Sequence, residues 1–330
     1  MMELTYRFKT NNGEFLIGDA KVLIKKLLLR KYKNKINLIL TSPPFPLNNK
    51  KRYGNLEGEK YKKWFADFAP LFSELLTDDG SIVIELGNAW KEGCPIQSLL
   101  PIESLIAFLN CNGKEFNLCQ EFICYNPTRL PSPAQWVTVN RIRVVDSFTR
   151  VWWMSKSEFP KADNTKILRP YSDSMKKLLK KGKYNYGFRP SEHYISKRSF
   201  LKSNNGSIAH NLIELEAIDD IRDPRLPKNV LSFSNTSSND YYLSKCRELK
   251  IKPHPARMPI SLASFFINFL TDKNDIVFDP FSGSNTTGYV AELLGRKWIS
   301  TEISDEYFEQ AIIRMKDPKL NSKIKVLRKK

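Results

Sequence analysis

Ile36-Asn37-Leu38-Ile39-Leu40-Thr41-Ser42-Pro43-Pro44-Phe45 is an apolar β-type run that stops on two prolines. Ile and Leu packed into five positions fit a buried strand. Pro43 and Pro44 fix their own φ, remove two backbone donors and push Ser42 and Pro43 toward extended conformations. The loop is therefore stiff and shows its carbonyls. The Ser42 hydroxyl, a freed carbonyl and the Phe45 ring share one rigid turn, which can grip a flat, amino-bearing group by edge and face. A nucleobase is such a group. An ordinary strand-ending turn is the other reading of the same five residues.

Outward from this run, β-type and helix-type segments alternate. Leu16-Ile17-Gly18-Asp19 reads as a short strand ending in a turn, followed by helical spacing at Val22, Leu23, Leu27 and Leu28. Downstream, Tyr61, Trp64, Phe65, Phe68, Phe72, Leu75 and Leu76 recur at helical spacing and read as core. Asp79-Gly80 reads as a turn into the strand Ile82-Val83-Ile84, which ends at Glu85-Leu86-Gly87. A helix from Pro101 to Asn110 and a strand Phe122–Tyr125 follow. Alternation resumes late in the chain with a helix after Ser261, strands Ile276–Phe278 and Trp298–Ser300, a helix near Val290–Leu294 and a last helix from Ser304. Such alternation predicts an α/β fold with a mostly parallel sheet and helices on both faces. Ligands of these sheets bind beyond the carboxyl ends of the strands, where Thr41–Phe45, Glu85–Gly87, Tyr125, Asp279–Gly288 and Glu302 all fall.

The second informative stretch is Asp279-Pro280-Phe281-Ser282-Gly283-Ser284-Asn285-Thr286-Thr287-Gly288, between a strand and a helix. Gly283 and Gly288 have the spacing of a phosphate-binding loop, but Tyr289 stands where that loop needs its lysine. A triphosphate is thereby excluded. Glu302 ends the next strand nineteen residues beyond Gly283, about the distance at which a carboxylate meets ribose hydroxyls. An adenosine-type ligand without pyrophosphate is implied, and S-adenosylmethionine is one.

Composition narrows the partner. The 330 residues hold 53 Lys and Arg against 35 Asp and Glu, a formal charge of +18, which points to a polyanion. Five cysteines without a C-x-x-C pair, and only three histidines, indicate neither a zinc site nor a disulfide framework; the thiols are expected reduced and buried. No signal-like segment opens the chain and no run nears a membrane span. The expectation is a cytoplasmic, nucleoid-associated protein.

Between Pro127 and Asn239 the alternation weakens and basic residues cluster: Lys176, Lys177, Lys180, Lys181, Lys183, Arg189, Lys197, Arg198 and Lys202. With Lys50, Lys51 and Arg52 beside the proline loop, these are the candidate DNA contacts. Val151-Trp152-Trp153-Met154 reads as a strand that can belong to the main sheet. The expected division is 1–156, an inserted region 157–239 that can begin near 128, and 240–330.

With both loops in hand, the chain resembles the amino-methylating DNA methyltransferases of restriction–modification systems, in particular the cytosine-N4 group in its β-type motif order and most of all its PvuII-type members. Asp79-Gly80-Ser81, Asn126-Pro127, Leu130-Pro131-Ser132-Pro133, Val151-Trp152-Trp153 and His254-Pro255-Ala256-Arg257 carry the likeness beyond the two loops. The resemblance implies a Rossmann-like S-adenosylmethionine-dependent methyltransferase sheet with an inserted target-recognition region. It places catalysis on Ser42, Pro43, Pro44 and Phe45. Cofactor binding falls on Asp19, Thr41, His254, Pro255, Asp279, Phe281, Gly283, Ser284, Asn285, Thr286 and Glu302. Ser282 departs from the family loop, which commonly has glycine there, and is compatible with it if its φ is negative.

The implied reaction is methyl transfer to the exocyclic N4 amine of cytosine in double-stranded DNA, guarding host DNA from a cognate restriction endonuclease. Ser42 and the Pro43 carbonyl would accept the two amine hydrogens, so that catalysis is positioning plus electrostatics. Glu85 would orient Ser42 or receive the proton. The base must leave the duplex, and Phe45 and Tyr125 are candidates to stack on it. A cytosine-C5 mechanism needs a Pro-Cys pair, and the chain has none. An adenine-N6 enzyme, which usually has Asp at the position of Ser42, and a basic DNA-binding protein with a relict cofactor site are the alternatives.

Overall fold

Leu38 and Leu40 point to one face of the strand that carries them and Ile36 and Ile39 to the other, so this strand is covered on both sides. The same split recurs at Val83 against Ile82 and Ile84, and at Val277 against Phe278. The computed structural model describes residues 6–46, 56–113, 116–214 and 240–328. Its strands are β1 (Tyr6–Lys9), β2 (Gly13–Ile17), β3 (Ile36–Thr41), β4 (Leu76–Gly87), β5 (Asn117–Tyr125), β6 (Phe148–Ser155), β7 (Gly187–Phe188), β8 (Tyr194–Ile195), β9 (Leu212–Glu214), β10 (Ile276–Asp279), β11 (Lys297–Glu302) and β12 (Lys325–Arg328).

Ten of these form one sheet in the order β12-β1-β2-β11-β10-β3-β4-β6-β5-β9. The five central strands, β2, β11, β10, β3 and β4, are mutually parallel, as expected. Outside them β1 is antiparallel to both β2 and β12, and β6 to both β4 and β5. One face is packed by helices Ile260–Leu270, Thr286–Leu293 and Asp305–Met315, the other by helices within Ala20–Tyr32, Gly58–Leu75 and Leu100–Leu109. Among the described residues no helix is long and apolar enough to cross a membrane.

Several local expectations are corrected. The aromatic helix is two helices, Gly58–Ala66 and Phe68–Leu75, broken at Asp67. Pro70 is the reason, because its ring collides with the carbonyl four residues back and it has no amide to donate. Asp79-Gly80 is not a turn before a strand. It lies inside β4, where the register to β3 slips between the pairs Ile36–Leu76 and Leu38–Ser81, a bulge absorbing the extra residues. Cys124 and Cys246 are buried, whereas Cys94, Cys111 and Cys119 are half-buried.

Val151–Met154 does join the main sheet, inside β6. The chain after it stays fastened to the main layer: Asp163 N donates to Phe269 O at 2.9 Å, and Ile167 sits in the core. Helix Asp173–Lys181 and the β7–β8 ribbon then stand apart, before β9 returns to pair with β5.

Candidate active site

The carboxyl ends of β2, β3, β4, β10 and β11 surround a cavity of about 360 Å³, within the range of roughly 300–1,000 Å³ usual for small-molecule sites. Ser42, Pro43, Pro44 and Phe45 form one wall. Their conformation is held from helix Gly58–Ala66, where the Tyr61 hydroxyl donates to the Pro44 carbonyl at 2.9 Å. The Phe45 ring lies on the backbone of β4: a Cβ at Gly87 would stand 2.6 Å from its Cδ2 and Cε2. Glycine is required there for the ring to lie flat. Glu85, two residues earlier, is buried and lines the cavity. Burial pushes its carboxyl above the ordinary range, opposed by hydrogen bonding from Thr149 Oγ1 at 2.9 Å, by the nearby Arg129 charge and by the nearby Ser42 hydroxyl.

The facing wall is the glycine loop. Asp279 is buried, and its carboxyl is pushed up to about 6 by desolvation, against three donors. Thr41 Oγ1 reaches Oδ1 at 2.7 Å, Phe281 N reaches Oδ1 at 3.0 Å and Thr287 Oγ1 reaches Oδ2 at 2.7 Å. Gly283 has φ +51°, and a Cβ there would stand 2.9 Å from His254 Nε2. The loop thus leaves a side-chain-free cradle beside an imidazole. The Ala256 amide donates to His254 Nδ1 at 3.2 Å, so the ring's N–H is Nε2. Glu302 accepts the Gly283 amide at 2.9 Å on one oxygen and the Ile303 and Ser304 amides, both at 2.9 Å, on the other.

Of the expected cofactor residues, Asp19, His254, Asp279, Phe281, Gly283, Ser284, Thr286 and Glu302 line the cavity. Thr41 and Asn285 are buried behind it, and Pro255 is exposed outside it. Ser282 does not take a positive φ. Gly288 serves Asn285, whose side-chain oxygen would stand 2.3 Å from a Cβ there, and not a phosphate. Glu302 spans the loop and the strand instead of standing free for a ribose, although a carboxylate with about four acceptor positions retains room for a hydroxyl. A side-chain-free cradle, a lining carboxylate and the ring of Phe281 fit an adenosine-bearing cofactor.

Tyr125 is half-buried at the end of β5, with β6 between it and β4, and does not line the cavity. The nine basic residues from Lys176 to Lys202 are exposed. Lys50, Lys51 and Arg52 lie outside the described residues. Tyr61, Trp64, Arg257, Met258 and Tyr307 also line the cavity and were not anticipated there. Tyr61 is as buried as its spacing foretold, at 1% exposure; only its hydroxyl turns out of the core. Arg257 lay within a quoted motif, and its charge was the available signal.

A family model described as DNA methylase matches residues 36–313. The type II methyltransferase M.PvuII of Proteus hauseri is 43% identical over 312 residues, covering 94% of this chain and 85% of that one. A solved structure titled PvuII DNA methyltransferase (cytosine-N4-specific) superposes with a TM-score of 0.70 at 37% identity, over 94% of this chain and 88% of that one. The DNA adenine methyltransferase YhdJ of Escherichia coli (strain K12) is 44% identical, but over 62 residues, 19% of this chain and 21% of that one. These likenesses bear out the resemblance read from the sequence and the methyltransferase sheet it implied. Family match, long relative and superposed fold agree over nearly the same residues, and the chain belongs to the DNA methylase family.

Proposed function

We propose that the chain transfers a methyl group from S-adenosylmethionine to the exocyclic N4 amine of cytosine in double-stranded DNA, and so protects host DNA from a restriction endonuclease that cuts the same site. It would work at the nucleoid, in the cytoplasm. The observation that carries this reading is the meeting of the Ser42–Glu85 pair with the Gly283–Glu302 loop across one cavity. The likeness over 94% of this chain to a structure titled cytosine-N4-specific supports the choice of base.

The N4 lone pair of cytosine is delocalised into the ring and must be drawn out. Ser42 and Glu85 line the same cavity wall; the Ser42 oxygen can accept one amine hydrogen while the Pro43 carbonyl accepts the other. Two acceptors in these directions favour a pyramidal nitrogen with its lone pair turned toward the glycine loop. When bound, S-adenosylmethionine supplies a methyl group on a positively charged sulfur. Glu85, with its proton affinity raised by burial, takes the surplus amine proton through Ser42. Phe45, flat against Gly87, is the stacking face for a base turned out of the duplex. Tyr125, outside the cavity, is not assigned that role.

The test is to methylate a plasmid with radiolabelled cofactor, digest it to nucleosides and separate them. Label in N4-methyl-2′-deoxycytidine is expected. Label in N6-methyl-2′-deoxyadenosine would overturn the choice of base, and label in 5-methyl-2′-deoxycytidine the use of Ser42 and Glu85.

A further inference from the structure

Arg314, in helix Asp305–Met315, touches nothing in the cavity and yet holds its wall from behind. Its side chain is 3% exposed, and the carboxylate paired with it, Asp240 Oδ2, is a distant 3.7 Å from Nη1. Burying a guanidinium against so weak a partner is unfavourable unless its donors are used elsewhere. They are used on the glycine loop: Nε donates to the Ser284 carbonyl at 2.9 Å and Nη2 to Ser284 Oγ at 3.2 Å. The cation also lies 4.2 Å from the ring centroid of Tyr242 and 5.9 Å from that of Tyr289.

Tyr242 extends the arrangement to a second part of the wall. Its hydroxyl accepts the His254 amide at 3.0 Å and donates to Gln310 Oε1 at 2.7 Å, Gln310 being one turn before Arg314 on the same helix. Ser284 and His254 flank Gly283, and both line the cavity. One stacked pair therefore fastens both sides of the cradle. Tyr242 is set in turn by helix Tyr241–Glu248, whose first turn Asp240 caps by accepting the Leu243 amide at 2.6 Å.

We infer that Arg314 is a positioning residue for the cofactor loop, acting through Ser284 and kept in place by Tyr242 and Asp240. This rests on the reading of the cavity as an S-adenosylmethionine site. The guanidinium fixes the direction of the Ser284 carbonyl and hydroxyl, and Tyr242 fixes the His254 backbone, so the cradle is rigid before ligand arrives. Lysine at 314 would keep the charge but not the fork that reaches carbonyl and hydroxyl together.

Calorimetric titration with S-adenosylhomocysteine, alongside DNA affinity measured without cofactor, tests this in wild type, Arg314→Met, Arg314→Lys and Tyr242→Phe. Cofactor affinity is expected to fall about 10- to 100-fold in Arg314→Met, with partial recovery in Arg314→Lys, while DNA affinity and kcat at saturating cofactor stay within about threefold. Tyr242→Phe keeps the ring and loses the hydroxyl, so about fivefold weaker binding is expected; it carries the test should Arg314→Met fail to fold. Wild-type affinity in either folded variant, or loss of DNA binding in step with loss of cofactor binding, would overturn the inference. A wild-type protein that does not bind S-adenosylhomocysteine would overturn the reading of the cavity itself.

Discussion

The Thr41 hydroxyl donates to Asp279 Oδ1 at 2.7 Å, joining the strand end that leads into Ser42 to the strand end that opens the glycine loop. The two residues are 238 positions apart in the chain. Thr41→Val keeps the shape and leaves a buried carboxylate oxygen short of a donor, which costs about 1–3 kcal/mol. Urea unfolding should show that loss, and calorimetry a several-fold weaker cofactor affinity.

Ser42, next in the chain, lines the cavity together with Glu85. Ser42→Ala should lower kcat by about 10²-fold or more, in the manner of a lost preorganised donor or acceptor, while cofactor affinity stays within about threefold. Single-turnover methylation of a cognate duplex checks the first and titration the second. Equal losses in both would remove Ser42 from the chemical step.

Gly87→Ala drives a methyl group into the Phe45 ring, 2.6 Å from two of its carbons. Overpacking of this kind costs about 1–3 kcal/mol, and the ring must leave its place. Combining the change with Phe45→Leu should restore most of the stability but not the activity. Thermal unfolding and turnover, measured on the single and double variants, separate the two effects.

Asp279 gives a pH dependence of defined sign. Its carboxyl is raised from the ordinary 3.8 to about 6. Below the lower value it is protonated both folded and unfolded, and it carries no penalty. Between the two the unfolded chain ionises first, so stability falls as pH rises, and above about 6 the penalty is constant at up to about 3 kcal/mol. The stability of Asp279→Asn relative to wild type should accordingly climb between pH 4 and pH 7. A flat difference in urea midpoints would show that Asp279 is not held in a desolvated state.

The exposed lysines of helix Asp173–Lys181 and the residues after it are expected to meet DNA phosphates. Log affinity should then fall linearly with log salt at about −0.9 per phosphate contacted, and reversing Lys176, Lys177, Lys180 and Lys181 should flatten the line. An unaltered slope would make them a solvated face.

The parallel centre of the sheet was legible because Ile36–Leu40, Ile82–Ile84 and Ile276–Phe278 are short apolar runs set between helical periods, a pattern buried on both faces. The location of the site followed from where such runs stop. What escaped were interactions that one atom decides. Tyr61 fits core periodicity at every carbon, and nothing in spacing shows that its oxygen meets Pro44. Glu302 was legible as a carboxylate at the right distance, but the three amides that hold it belong to backbone folded by other residues. The break at Asp67 was written in Pro70 and was outweighed by the aromatic period running across it.

Four carboxylates, Asp19, Glu85, Asp279 and Glu302, line a cavity in a chain whose formal charge is +18. Surface and interior therefore sort ligands by opposite signs. A polyanion is drawn to the basic outside, while the carboxylates of the lining favour a cationic sulfonium over an anionic ligand. Once the methyl group has gone, the remaining thioether is uncharged at sulfur and that part of the attraction is lost. Charge at sulfur is therefore one property by which this lining can tell the fresh cofactor from the spent one, apart from their shape.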